Sequence, residues 1–125
     1  MYAVSVSRSF VAQHSLTVPD AGPDGTVHSH HYTVEATVRG PELDAYGYLV
    51  DVGALTDALD TVVETVRDRT LNELPALEGQ NPSPERFARL LGTRLCEELT
   101  PEPATELEIR LQEDDAVTVA HERAL

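Results

Sequence analysis

The stretch His28-Ser29-His30-His31-Tyr32-Thr33-Val34-Glu35-Ala36-Thr37-Val38-Arg39 decides the architecture. Tyr32, Val34, Ala36 and Val38 fall on one side, and His31, Thr33, Glu35 and Thr37 on the other. Successive side chains of a strand point to opposite faces, so this alternation predicts a strand half-buried against a core. Gly40-Pro41 ends it. Upstream, residues 2–10, YAVSVSRSF, alternate in part and carry Tyr, Val and Phe, which predicts a second strand. Between the two, residues 15–27 hold Pro19, Gly22, Pro23 and Gly25 and are expected to form a loop.

Downstream, Tyr46-Gly47-Tyr48-Leu49-Val50 predicts a short strand leading into a helix that Asp51 caps. Leu55, Leu59, Val62, Val63 and Val66 recur at near-helical spacing and form one apolar stripe through about residue 69. Turn-rich sequence follows from Asn72 to Pro82. Ser83-Pro84-Glu85 starts a second helix, with a serine cap and a proline in the first turn, where its missing N–H costs nothing. Phe87, Leu90, Leu91, Leu95 and Leu99 are its stripe, and Thr100-Pro101 ends it. Residues 105–112 and 116–123 read as closing strands on either side of Glu113-Asp114-Asp115. Segregated strands and helices predict an α+β domain, an antiparallel sheet covered on one face by two helices. With no internal repeat, residues 1–125 are expected to form a single domain.

Three of the five histidines form a candidate metal set. His28 and His30 are two apart on the expected strand and project from the same face, whereas His31 projects from the other. His14, just after the first strand, is placed to supply a third imidazole. Zinc accepts neutral imidazole, and a three-histidine site keeps a fourth position open for water or substrate. His-x-His is short and common, so spacing alone leaves ordinary surface histidines as the alternative.

Further residues carry a resemblance. Phe10-Val11-Ala12-Gln13-His14 resembles the F-x-A-x-H that ends the first strand of 6-pyruvoyl-tetrahydropterin synthases and 6-carboxytetrahydropterin synthases. His28-Ser29-His30-His31-Tyr32 is similar to their H-G-H-N-Y, and Gly47-Tyr48-Leu49-Val50-Asp51 to their G-[WYM]-[IVL]-x-D. Leu71-Asn72 matches their L-N, and Asn81-Pro82-Ser83-Pro84-Glu85 resembles N-P-T-x-E. Glu113 sits where that family has its pterin-recognising glutamate. These matches run in order along nearly the whole chain.

The resemblance implies a four-stranded antiparallel sheet with two helices on one face. It implies sheets of several subunits joining into a β-barrel, the tunnelling fold, as a trimer or dimer of trimers. It implies zinc on His14, His28 and His30, polarising oxygens of the substrate side chain so that a hydroxyl-bearing carbon is easier to deprotonate. Glu113 would accept hydrogen bonds from the pterin ring N–H and exocyclic amine. The expected activity is a zinc-dependent lyase on 7,8-dihydroneopterin triphosphate or a close relative, serving 7-deazaguanine nucleosides (queuosine or archaeosine) or folate-type pterins. Arg67 or Arg69 would face the triphosphate, or else be solvated helix-end arginines.

The acid–base residues depart from the family pattern. Asp24 stands at the position of the family cysteine, and Arg67-Asp68 at that of its Asp-His pair. Cys96, within the second helix, fits packing. Either Asp24 or Asp68 takes over proton transfer, or the chain is a non-catalytic, zinc- and pterin-binding paralogue. Family members with an acid in place of the cysteine cleave the side chain differently, toward a folate precursor. An unrelated three-histidine zinc hydrolase is a weaker alternative.

Charge bounds the partners. The chain has 22 acidic residues against 9 arginines, no lysine, and a formal charge of -13. That balance argues against binding nucleic acid through a basic surface or docking on anionic membranes. One cysteine allows no internal disulfide, and the N-terminus MYAVSVSRSF lacks the apolar core of a signal peptide, so a cytoplasmic protein is expected. The acidic surplus serves solubility, and it also suits a high-salt solvent in which screening relieves self-repulsion. The melting temperature is then expected to rise with KCl. A melting temperature indifferent to KCl would remove the high-salt reading.

Overall fold

A computed structural model covers residues 1–125. The sheet has four strands, β1 (Tyr2–His14), β2 (His28–Gly40), β3 (Glu106–Glu113) and β4 (Val117–Ala124), antiparallel and in chain order. Two helices, α1 (Val52–Glu64) and α2 (Pro84–Glu98), connect β2 to β3. The expected α+β architecture, with a four-stranded sheet and two helices, is the one found.

The alternation in β2 sets the layers. Tyr32, Val34, Ala36 and Val38 are fully buried, as are Ala12 of β1 and Leu111 of β3. They join Leu55, Leu59 and Val62 of α1 and Phe87, Leu91 and Leu95 of α2 in one apolar cluster of 25 residues. The opposite face is polar: Ser5 bonds Thr37 across the strands at 2.7 Å, and Glu108 lies between Arg39 at 3.3 Å and Arg110 at 3.8 Å.

Both helix starts follow from their caps. Asp51 accepts from the Ala54 N–H at 3.1 Å, and Ser83 accepts from the Arg86 N–H at 3.2 Å. The first helix stops at Glu64, short of residue 69. Asp68 takes a left-handed backbone (φ 58°) and gives its N–H to the Val11 carbonyl, so the chain leaves the helix for the sheet. Val66 nevertheless stays fully buried, so the apolar stripe outruns the helix itself.

Three expectations need correcting. Residues 46–50 form no strand. The Asp44 side chain captures the N–H groups of Tyr46 and Tyr48 at 2.8 and 2.9 Å, and Gly47 turns at φ 86°, which commits the backbone to a turn. The first strand runs on to His14 rather than stopping at Phe10, because pairing with β2 continues to His14 opposite His28. His14 therefore belongs to the strand, not to the loop after it.

Candidate metal centre

The β1–β2 register builds the centre. His14 lies directly opposite His28, and Ala12 opposite His30. All three histidines share the face that carries Phe10, Ala12 and Tyr32, at the end of the sheet beyond the apolar core. Ala12 is small, which leaves the imidazoles room to converge. Ring centroids are 4.6, 4.8 and 4.9 Å apart, and one ligand nitrogen from each histidine lies within 4.8 Å of the others. An aromatic layer underlies the cluster. Phe10 stacks on Tyr32 at 5.5 Å, Phe87 meets both edge-on, and Tyr32 meets His30 at 5.9 Å.

Each imidazole is held by its Nδ1. His14 Nδ1 bonds the Pro82 carbonyl at 3.0 Å, His28 Nδ1 the Thr26 carbonyl at 2.7 Å, and His30 Nδ1 the Asp114 carboxylate at 2.7 Å. All three partners only accept, so each Nδ1 carries a proton, which is the tautomer that leaves an Nε2 lone pair for a metal when the ring is neutral. Three Nε2 acceptors grouped with no donor among them are the donor set zinc takes, and outer partners that fix the tautomer are the usual companions of metal-bound histidine. The residues therefore fit the ion. His14 is buried, and this burial, only partly offset by the bond to Pro82, lowers its pKa below the ordinary histidine value and favours the neutral ring.

The motif residues read from the sequence have a physical task here. Asn72 pairs with the backbone of Ser15, accepting its N–H at 2.9 Å and donating to its carbonyl at 2.8 Å, as a strand partner would. Asn81 accepts the Thr17 N–H at 2.9 Å, and the next residue, Pro82, supplies the carbonyl on His14. These two asparagines fasten the end of β1 just past its histidine.

Glu113 closes β3 opposite Tyr32. One carboxylate oxygen is 3.6 Å from His30 Nε2, and the other is 3.5 Å from the Tyr32 hydroxyl. The Glu113 carboxylate thus faces the side of the cluster that the ion would occupy. Burial and this acid together push the Tyr32 hydroxyl pKa far up, so it remains a proton donor.

Asp24 and Asp68 lie farther out. Asp24 is exposed in the 3-10 turn Gly22–Gly25, the turn that precedes the Thr26 carbonyl on His28. Asp68 is exposed at the outer edge of β1, beside Val11 and Gln13. Neither side chain is hydrogen-bonded to the histidines within one chain. Arg67 pairs with Glu64 at 3.0 Å, and Arg69 is exposed at the chain's surface. Burial raises the Cys96 thiol pKa, and the side chain packs against the core, which suits a structural residue. His31 faces away from the cluster, and His121 lies farther down the sheet, opposite Ile109, which pairs with Ala36.

Asp114 is the residue that the sequence pattern did not single out. It looks like one of two turn acids, but its left-handed backbone (φ 51°) aims it back at β2. Hydrogen bonds from His30 and His31 hold its carboxyl pKa below the usual aspartate value.

The fold and the histidine cluster define an α+β domain with a candidate three-imidazole metal site. The family model for 6-pyruvoyl tetrahydropterin synthase matches residues 3–124, and the chain belongs to that family. The Caenorhabditis elegans 6-pyruvoyl tetrahydropterin synthase structure is similar over 98% of this chain and 97% of its own, with TM-score 0.79 and 22% identity. The Plasmodium falciparum enzyme is similar over 99% and 98%, with TM-score 0.82 and 19% identity. A catalytic-residue mutant of the Plasmodium vivax enzyme gives the same coverage and TM-score at 16% identity. At these identities the likeness is one of fold. No curated protein matches the sequence significantly. No helix is long and apolar enough to cross a membrane.

If Asn72 holds the end of β1, Asn72→Ala should destabilise the metal-free protein by about 1–3 kcal/mol, the cost of unmet backbone groups. Urea unfolding measures this, and an unchanged midpoint would show that Ser15 finds its partners elsewhere.

Proposed function

We propose that the chain is a zinc-dependent pterin-converting lyase that acts on 7,8-dihydroneopterin triphosphate or a close relative. The observation that carries this reading is the convergence of three imidazoles, each with its Nδ1 proton engaged, beside the Glu113 carboxylate. When bound there, zinc supplies Lewis-acid polarisation of side-chain oxygens on the substrate. His14, His28 and His30 hold the ion.

Glu113 binds the pterin. Its two oxygens accept from two adjacent donors, the ring N–H and the exocyclic amine. Asp24 moves the proton as general acid or base, and Asp68 is the next candidate. Both are exposed carboxylates on segments that touch the strand ends bearing the histidines. A second reading, a zinc- and pterin-binding paralogue without turnover, draws on the same exposure: neither acid is bonded to the cluster.

We further propose a closed homo-oligomer, a trimer or dimer of trimers. The outer side of β1 pairs only near Gln13, through the bridge to Thr70, and β4 has no partner on its outer side. Long bare edges favour pairing with another chain. Light scattering at working salt is expected to give a multiple of three chains, and a monomer would overturn this.

The function is tested by incubating zinc-loaded protein with 7,8-dihydroneopterin triphosphate and identifying products by mass spectrometry. A pterin with a converted or cleaved side chain is expected, and its mass assigns it to the 7-deazaguanine or the folate-type route. Asp24→Asn should lower turnover about 100- to 10,000-fold with zinc retained. Glu113→Gln should weaken pterin binding by roughly 1–3 kcal/mol. Changing His28 and His30 together to Ala should abolish zinc uptake. Bound pterin recovered unchanged would select the paralogue, and full zinc content in the double variant would sink the whole assignment.

A further inference from the structure

His30 differs from the other two histidines in what holds it. Backbone carbonyls, which are neutral, hold His14 and His28. A carboxylate holds His30, at 2.7 Å. A charge-assisted bond of this length is roughly twice as strong as a neutral one, and it pushes electron density onto the ring, making the far nitrogen a better donor.

The carboxylate is itself held in place. Asp114 accepts the His31 N–H through its other oxygen at 3.0 Å, and its own N–H goes to the His31 carbonyl at 2.7 Å. With His30, that makes three bonds from one residue to two successive residues of β2. Its left-handed backbone allows this, by folding the β3–β4 turn back over the strand. Glu113, immediately before it, approaches the same ring from the Nε2 side at 3.6 Å. Two consecutive acids therefore address the two nitrogens of one imidazole.

We propose that Asp114 is a positioning residue for the metal centre, which fixes the orientation and tautomer of His30 and raises the zinc affinity of the cluster. The proposal rests on the zinc reading given above. Asp114 is half-exposed, so solvent screens its long-range field and its influence passes through the hydrogen bond itself. Asp115, exposed and next in sequence, carries the same charge without a bond to the cluster. It is the internal control.

Zinc affinity is measured by competition with a chromophoric chelator, using zinc alone, on the full chain. Asp114→Asn keeps the size but leaves one acceptor oxygen for two donors, so affinity should fall about 10- to 100-fold. Asp115→Asn should stay within about twofold of wild type, the control expectation for a charge with no bond to the metal ligands. Asp114→Gly serves as a second variant. Glycine accepts the left-handed backbone freely, so the turn persists while the carboxylate is lost. Its metal-free melting temperature should stay near that of wild type while its zinc affinity falls as in Asp114→Asn. In cobalt-loaded protein, the visible bands should shift in both Asp114 variants and not in Asp115→Asn. Equal affinities for the Asp114 and Asp115 variants would overturn the proposal and leave the histidine centre standing. A wild-type protein that takes up no zinc would overturn both.

Discussion

The antiparallel pairing of β1 with β2 is the constraint on which the rest depends. It sets His14 opposite His28 and puts the small Ala12 opposite His30. Slipping the register by one residue would send the β1 set to the opposite face, since side chains alternate. Phe10 would then leave Tyr32, and His14 would leave His28. The core and the histidine cluster thus share one register. The bulk of the apolar cluster locks the strands in the only alignment that also brings the imidazoles together. The histidines need contribute nothing to folding, because Phe10, Tyr32 and Phe87 already select the pairing from the layer below.

A strand end is where such a centre is hardest to hold, because ladder hydrogen bonds run out there. This chain meets the difficulty with side chains that imitate a strand. Asn72 supplies both a donor and an acceptor to Ser15, and Asn81 caps Thr17. Pro82 then turns its carbonyl to His14 from the start of α2. Two stretches of the α1–α2 connection, at Asn72 and at Asn81-Pro82, thus converge on the end of β1 and the residues just after it. The buried His14 is tied most tightly to the fold, and the more accessible His28 and His30 complete the set from β2.

Much of this was legible in the sequence, because the deciding signals are local. Period-two alternation in residues 28–39 marked a strand and its buried face. Asp51 and Ser83 marked the helix starts, and two histidines two apart marked a shared face. What failed was equally physical. Tyr46 to Val50 has the composition of a strand, but the Asp44 side chain takes the N–H groups a ladder would need. The stripe through Val66 suggested a longer helix, yet burial continues after the helical backbone has ended at Glu64. Asp114 was invisible because its role depends on a left-handed backbone that brings residue 114 against residue 30. No pattern along the chain encodes that approach.

The groups that hold the three histidines are separate from Asp24 and Asp68, the acids proposed for proton transfer. His14 and His28 are fixed by main-chain carbonyls, and His30 by a residue of the β3–β4 turn. None of those contacts uses the side chain of Asp24 or Asp68. A carbonyl is present whatever side chain its residue bears, so substitutions at the exposed acids leave the imidazoles where they are. Asp24 reaches the centre only through the backbone of its own turn, whose carbonyl accepts the Leu16 N–H at 2.8 Å. If Asp24 or Asp68 carries the proposed proton transfer, the histidine cluster keeps its geometry whichever side chain stands at that position. On the proposed function, the histidine cluster and Glu113 would select what binds, and the exposed acids would act on it without disturbing the cluster.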